Sequence, residues 1–298
     1  MLVTMKEIVD HATKGNYGVA APNVSSEFDA RAAIEVAEDL KSPLILDVGL
    51  KASSDIFFYG HMLRTLAEQS TVPVCINLDH GPSYEACVTA IQAGFTSVMI
   101  DKSVLDFDGN AAAVKEVVKL AHSVGVTVEA EFGHVGQGSN AEQDTTSHLT
   151  DPAEAKRFVD ETGVDCLAVA IGTAHGAYPK GFVPHIDIDR LDAIKNAVGQ
   201  DFPLVLHGSS GLDNEQLAVA CKHGINKINI ANELCQAVAD AVQGADLQGQ
   251  AAYGVWKVAK GGFQAKLAEK MKVYGSDGKA WKVEKTCGVP HEPTTMAE

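Results

Sequence analysis

His80, His175 and His207 each follow a short apolar run, in the segments VCINLDH, CLAVAIGTAH and PLVLH. If these runs are parallel strands, the three imidazoles emerge at one end of one sheet. Neutral imidazole suits a borderline-soft divalent ion, and three of them leave a fourth coordination position for substrate. Asp79, directly before His80, brings a carboxylate to the same rim. Adjacent residues on a regular strand point to opposite faces, so Asp79 is not expected as a fourth ligand. At the bend where the strand ends it can still face substrate, and there a carboxylate suits general acid/base work on a hydroxyl. The competing reading makes Asp79 the N-cap of a helix starting near Pro82.

Other candidates are weaker. His134 lies just past Glu131 and can reach the same rim from a loop. The turns IGTAHGAY, LHGSSGL and INIANE offer backbone amides, and barrels often bind phosphate after strands seven and eight. The hydroxyls of Ser209 and Ser210 would add donors, although such turns also occur as plain strand-to-helix chemistry. Lys227 shares strand parity with Asn229, so it can point inward, where a desolvated lysine forms a Schiff base with a carbonyl substrate. Lys102 directly follows the fourth run. A three-histidine set has no task in a Schiff-base enzyme, which favours the metal over the lysine.

These residues need a frame. Apolar or β-branched runs cover 18–24, 43–48, 73–78, 96–100, 126–130, 166–171, 203–206 and 227–230, with helical periodicity between them. Ser25 or Ser26, Asp151 before Pro152, and Asp213 are expected helix N-caps, and Gly163 and Gly224 expected helix stops. Strand followed by helix, eight times, predicts a (β/α)8 barrel of the TIM type, with an open doubly wound sheet as the alternative. The runs end in Asn23, Asp47, Asp79–His80, Asp101, Glu131, Gly172, His207–Gly208 and Asn229, as expected where the chemistry gathers on one face. Residues 1–275 read as one domain, and 276–298 as a polar tail in which Trp281 packs on the barrel or on a neighbouring subunit.

Composition narrows the partners. A net charge of −15 argues against nucleic acid and against anionic lipid, since both need a basic face. Six cysteines show no C-x-x-C pair, and four or five of them read as small apolar residues in a reducing, cytoplasmic compartment. The N-terminal segment lacks the layout of a secretory signal, and no run reaches the ~18 apolar residues that span a bilayer.

The segments NLDHG, SVMID, VEAEFG, LTDPAEAKRFVDETGVDCLAVAIGTAHG, PLVLHGSSGL and KINIANEL resemble, in order, the class II metal-dependent ketose-bisphosphate aldolases. The resemblance covers nearly the whole barrel. It implies Zn²⁺ held by His80, His175 and His207, with Glu131 as support or alternative ligand, and Asp79 as acid/base beside the scissile bond. It implies that Gly176, Gly208, Ser210 and Asn229 bind the phosphate of a dihydroxyacetone phosphate half, aided by a monovalent cation. Asn23, Ser209 and Asn232 join that substrate-binding set. The implied reaction is reversible cleavage of a phosphorylated ketose, or phospho-sugar acid, through a Zn-stabilised enediolate, in a homodimer or homotetramer.

The chain departs from the family pattern in places. QGSNAEQD replaces a Gly-Gly-x-Glu-Asp loop, so Glu142 is the stand-in for that loop's acid. Gly49 stands where Ser or Thr is common, Lys102 stands at a usually small position, and Asn232 replaces Thr or Asp. The triose-phosphate half looks kept and the other half re-cut, which argues against fructose 1,6-bisphosphate as substrate. A metal-dependent epimerase, an aldolase using another donor, and a non-catalytic barrel subunit are the alternatives.

Overall fold

Eight runs of apolar and β-branched residues form eight parallel strands: β1 (Val19–Pro22), β2 (Leu44–Val48), β3 (Val74–Gly81), β4 (Ser97–Ile100), β5 (Thr127–Phe132), β6 (Cys166–Val169), β7 (Leu204–Leu206) and β8 (Ile225–Ile230). The computed structural model describes residues 1–140 and 148–282. Glu142, Cys287, His291 and the rest of the expected tail beyond Lys282 lie outside the described residues.

The strands pair in the order β1-β8-β7-β6-β5-β4-β3-β2. The two ends of that series meet: Asn23 bridges Asp47, and the Val24 N–H donates to the Asp47 carbonyl at 2.9 Å. The result is a nearly closed (β/α)8 barrel rather than an open sheet. Around it run α2 (Glu27–Leu40), α3 (Ile56–Gln69), α4 (Tyr84–Gln92), α5 (Phe107–Ser123), α6 (Pro152–Thr162), α7 (Ile188–Val198), α8 (Asn214–Lys222), α9 (Asn232–Gln243) and α10 (Val255–Tyr274). An additional helix, α1 (Met5–Gly15), precedes the first strand.

Local chemistry explains the helix ends. Ser26 caps α2 in a reciprocal capping box with Asp29, Asp151 caps α6 ahead of Pro152, and Asp213 caps α8. Ser83 caps α4, which removes the N-cap reading of Asp79. Gly163 ends α6 in the left-handed region. At the other expected stop, His223 is the cap and Gly224 follows it at φ +108.

Two apolar layers result. Outside the barrel, strand residues such as Leu46, Ile76, Val128 and Leu206 pack against the helices. Inside its lower half, Val19, Ala21, Ile45, Cys75, Cys166, Ala168 and Val205 meet Met5, Ile8, Val9 and Ala12 of α1, which plugs the end opposite the site. Above that plug the inward positions turn polar: Asp47, Asn77, Glu129 and Lys227 are all buried.

Ser276, expected to begin the polar tail, is itself buried and hydrogen-bonds Ser42 Oγ at 2.8 Å. The N–H groups of Gly278 and Ala280 donate to the carbonyls of Leu40 and Lys41, and Trp281 stacks on His11 at 3.8 Å. Main-chain bonds carry most of this docking, which is why no apolar face shows in the sequence. Among the described residues no helix is long and apolar enough to cross a membrane, and Cys75, Cys87, Cys166, Cys221 and Cys235 are free.

Phe158 of α6 is fully buried against Phe107 and Phe132, joining α5, β5 and α6. Phe158→Ala is expected to cost about 3–5 kcal/mol, read as a lower denaturant midpoint with unchanged slope.

Candidate active site

His80 is positioned by an irregularity. The register between β3 and β4 shifts between Leu78 and Gly81, and His80 sits at φ +49, in the left-handed region. That conformation costs roughly 1 kcal/mol for a residue with a Cβ. It breaks strict alternation, so that adjacent Asp79 and His80 both reach the rim. The next residue must be glycine, because a Cβ at Gly81 would lie 2.3 Å from the Met99 carbonyl. The tetrapeptide LDHG is thus a bulge with its required glycine.

His207 directly follows β7 and is fully buried. Gly208 after it stands at φ +68, where a Cβ would meet the Ala174 backbone at 2.5 Å. This close approach brings the His207 and His175 turns together, and Thr173 Oγ1 ties them by donating to the His207 carbonyl. His175 differs from the strand-end expectation. β6 stops at Val169, and His175 is held by the loop after β5 instead: its N–H donates to Gly136 O, and its carbonyl accepts from Gly138 N–H.

The rings gather. Centroids of His80 and His175 lie 4.8 Å apart, His80 and His207 4.7 Å, and His175 and His207 5.6 Å. With Glu131 they offer ligand atoms all within 4.8 Å of one another. His207 Nδ1 and Glu131 Oε2 are buried 3.2 Å apart, and neither makes a hydrogen bond. Three imidazoles and a carboxylate gathered this closely are a nitrogen and oxygen donor set that fits a borderline-soft cation such as Zn²⁺.

Each ring has its own support. His80 Nδ1 pairs with Asp101 Oδ2 at 2.7 Å, and Asp101 Oδ1 accepts from Ser103 Oγ. Ser103 Oγ lies 2.9 Å from His134 Nδ1, which is 3.6 Å from Glu131 Oε1. His134 therefore joins the site as a neighbour of Glu131. His207 Nε2 lies 3.1 Å from Glu129 Oε1. Glu129 and Ser103 were not anticipated, and Asp101 only as a polar strand end. Glu129 was legible from its parity with Glu131, two residues along one strand.

Electrostatics separate the three rings. Burial and the neighbouring His207 and His80 pull His175 down to about 4, so it is a neutral imidazole. Burial also acts on His207, but Glu129 and Glu131 outweigh it and push the group up to about 10. His80 moves upward too, Asp101 overcoming burial. Desolvation works against the Asp79 carboxylate, yet His80, Lys227, His207 and the Asn23 amide hold it down to about 2. It is ionised at neutral pH.

The remaining predicted residues divide. Asn23 Nδ2 donates to Asp79 Oδ2 at 2.7 Å and Asn229 Nδ2 to Oδ1 at 2.9 Å, so both amides hold Asp79. Ser209 Oγ donates to the Asn229 carbonyl, and Ser210 is buried beside it in sequence. Gly176 is at φ +82 with open space where a Cβ would stand. Asn232 opens α9, whose N-cap Ala231 supplies no side-chain bond to the first turn. Lys102 is turned to the backbone and donates to Pro82 O at 2.6 Å. Lys227 does point inward, but among Asp47, Glu129 and Asn229, and the carboxylates of Asp47, Glu129 and Asp79 outweigh burial and push its ammonium's pKa upward. A nucleophilic amine needs the opposite shift, so the Schiff-base alternative fails.

Fold and site together define a barrel enzyme whose catalytic rim carries a cluster able to hold a metal. Residues 3–279 match the family model for class II fructose-bisphosphate aldolase. The chain is 39% identical to a fructose-bisphosphate aldolase of Geobacillus stearothermophilus, over 94% of its own length and 99% of the relative's. It is 46% identical to the Thermus caldophilus fructose-bisphosphate aldolase over 72% of this chain and 71% of that one. The crystal structure of the YdjI aldolase from Escherichia coli K12 superposes with a TM-score of 0.82 at 35% identity, covering 94% of this chain and all of that one. The chain belongs to the class II fructose-bisphosphate aldolase family and is a lyase of the aldolase type. The family is typically metal-dependent and acts on phosphorylated sugars.

Asp101→Asn is expected to loosen His80 and weaken metal affinity about 10- to 100-fold, measured by competition with a chromophoric chelator.

Proposed function

We propose that this aldolase uses Zn²⁺ to cleave, reversibly, a phosphorylated ketose or phospho-sugar acid into dihydroxyacetone phosphate and an aldehyde. The observation carrying the reading is the meeting of His80, His175, His207 and Glu131, with Asp79 Oδ1 3.9 Å from His80 Nε2. The three histidines would hold the ion, with Glu131 beside them as support or alternative ligand. Bound there, Zn²⁺ supplies a Lewis acid for the negative charge left on the ketone fragment after the carbon–carbon bond breaks.

Asp79 takes the proton from the hydroxyl beside the scissile bond and returns it in the condensation direction. Asn23 and Asn229 keep both its oxygens in place. The turns at Gly176, Gly208, Ser209 and Ser210, with Asn229 and the open first turn of α9 at Asn232, would bind the phosphate through backbone N–H groups. A monovalent cation can assist there. Such amide donors explain how a chain of net charge −15 accepts an anion.

The donor half of the site largely keeps the family pattern, Asn232 being its departure, whereas Gly49, Lys102 and the loop containing Glu142 depart from it in the other half. We therefore favour an acceptor aldehyde other than glyceraldehyde 3-phosphate. The reduced cysteines suit the cytoplasm, and a homodimer or homotetramer follows family habit.

Chelation is expected to abolish cleavage and Zn²⁺ or Co²⁺ to restore it, with no lysine adduct trapped by borohydride. Full activity of metal-stripped protein would refute the proposal. Asp79→Ala should lower kcat about 10²- to 10⁴-fold while Zn²⁺ stays bound, followed by coupled detection of triose phosphate across a panel of phospho-ketoses.

A further inference from the structure

Lys227 is a fully buried cation that the proposed chemistry does not use. Its Nζ lies 3.1 Å from Asp47 Oδ2 and 3.0 Å from Glu129 Oε2, and it donates to Asn229 Oδ1 at 2.6 Å. Two of these partners lead directly to the site. A carboxamide has one accepting end and one donating end, so fixing the oxygen of Asn229 on Lys227 also fixes where its nitrogen points. That nitrogen donates to Asp79 Oδ1 at 2.9 Å. Glu129 forms the second arm, with Oε1 at 3.1 Å from His207 Nε2. The third partner, Asp47, leads away from the rim, and its Oδ1 accepts from Asn77.

A buried ammonium could serve only to neutralise carboxylates and hold the barrel together. The arrangement goes further than that. Asp47 alone would give the cation a partner, yet the shortest contact is to the residue that orients Asp79. We propose that Lys227 is a positioning residue shared by the two halves of the machinery, aiming Asp79 through Asn229 and His207 through Glu129. The roles given to Asp79 and His207 rest on the function proposed above. Misplacement of about 1 Å at a reacting group can cost about 100-fold in rate, so a common anchor controls both the base and the ion.

The test uses the full-length protein, with Zn²⁺ affinity from chelator competition, the visible spectrum of Co²⁺, and kcat and KM on the ketose phosphate that the panel identifies. Lys227→Met is expected to weaken Zn²⁺ binding about 10- to 100-fold and to change the Co²⁺ spectrum. It should also lower kcat about 100-fold while KM stays nearly constant. Glu129→Gln cuts one arm and should weaken Zn²⁺ binding. Asn229→Leu cuts the other and should lower kcat with Zn²⁺ affinity retained.

If Lys227→Met does not fold, Asp47→Asn/Lys227→Met removes one buried charge of each sign and still severs both arms, and the same losses are expected. Unchanged Zn²⁺ affinity and Co²⁺ spectrum in folded Lys227 variants, with only the melting temperature lowered, would overturn the proposal. The metal readouts do not depend on turnover. A wild type that binds Zn²⁺ but cleaves nothing refutes the aldol reading of Asp79 while the Glu129 arm is still decided. A wild type that binds no Zn²⁺ overturns both.

Discussion

Charge buried inside a barrel must be paired, and the polar layer of this one is organised by that requirement. An isolated ion deep in a protein costs several kcal/mol, and its attraction to partners offsets the cost only with good geometry. Asp47, Glu129 and Lys227 are all fully buried. Their mutual contacts at 3.0–3.1 Å let two carboxylates and an ammonium share one level between the apolar plug and the rim. The rim groups then stand on a floor that is already polar and fixed. Asp79 stays ionised because its surroundings supply positive charge and two amides.

The backbone satisfies a second constraint, that several bulky polar groups meet within a few ångströms. Regular strands alone do not converge so tightly. The left-handed residue His80 and the adjoining register shift turn two neighbours to the same side. Gly81 and Gly208 allow main chain to pass where any side chain would collide. These departures from regular geometry lie at the site itself, where strain can serve positioning.

The barrel was largely legible in the sequence, because eight apolar runs alternating with capped helices leave few arrangements. Ser26, Asp151 and Asp213 cap the helices expected of them. His80 and His207 were legible for the same reason, since strand ends share a face, whereas His175 reaches that face from the loop that follows the end of β6 at Val169. What stayed hidden depends on contacts between distant segments. Nothing near His175 announces that the loop after β5 holds it, since that contact is a pair of backbone bonds. The inward turn of Lys227 followed from parity, but its partners sit on β2 and β5 and reverse the chemical meaning of the residue. Ser276 shows the same limit, with hydroxyl and main-chain contacts that leave no apolar pattern to read.

The three imidazoles are held in three different ways, and the difference divides the site by function. His207 is buried between two carboxylates on the rigid β5 strand. His80 leans on Asp101, and through Ser103 on His134, a residue of the loop after β5. Among the described residues, His175 takes main-chain support from that loop. The loop therefore reaches the rings unequally: His175 directly, His207 through Glu131, whose Oε1 accepts from the Val135 N–H at 2.9 Å, and His80 through three side chains. The floor beneath His207 and Asp79 is paired between strands instead, Lys227 with Asp47 and Glu129.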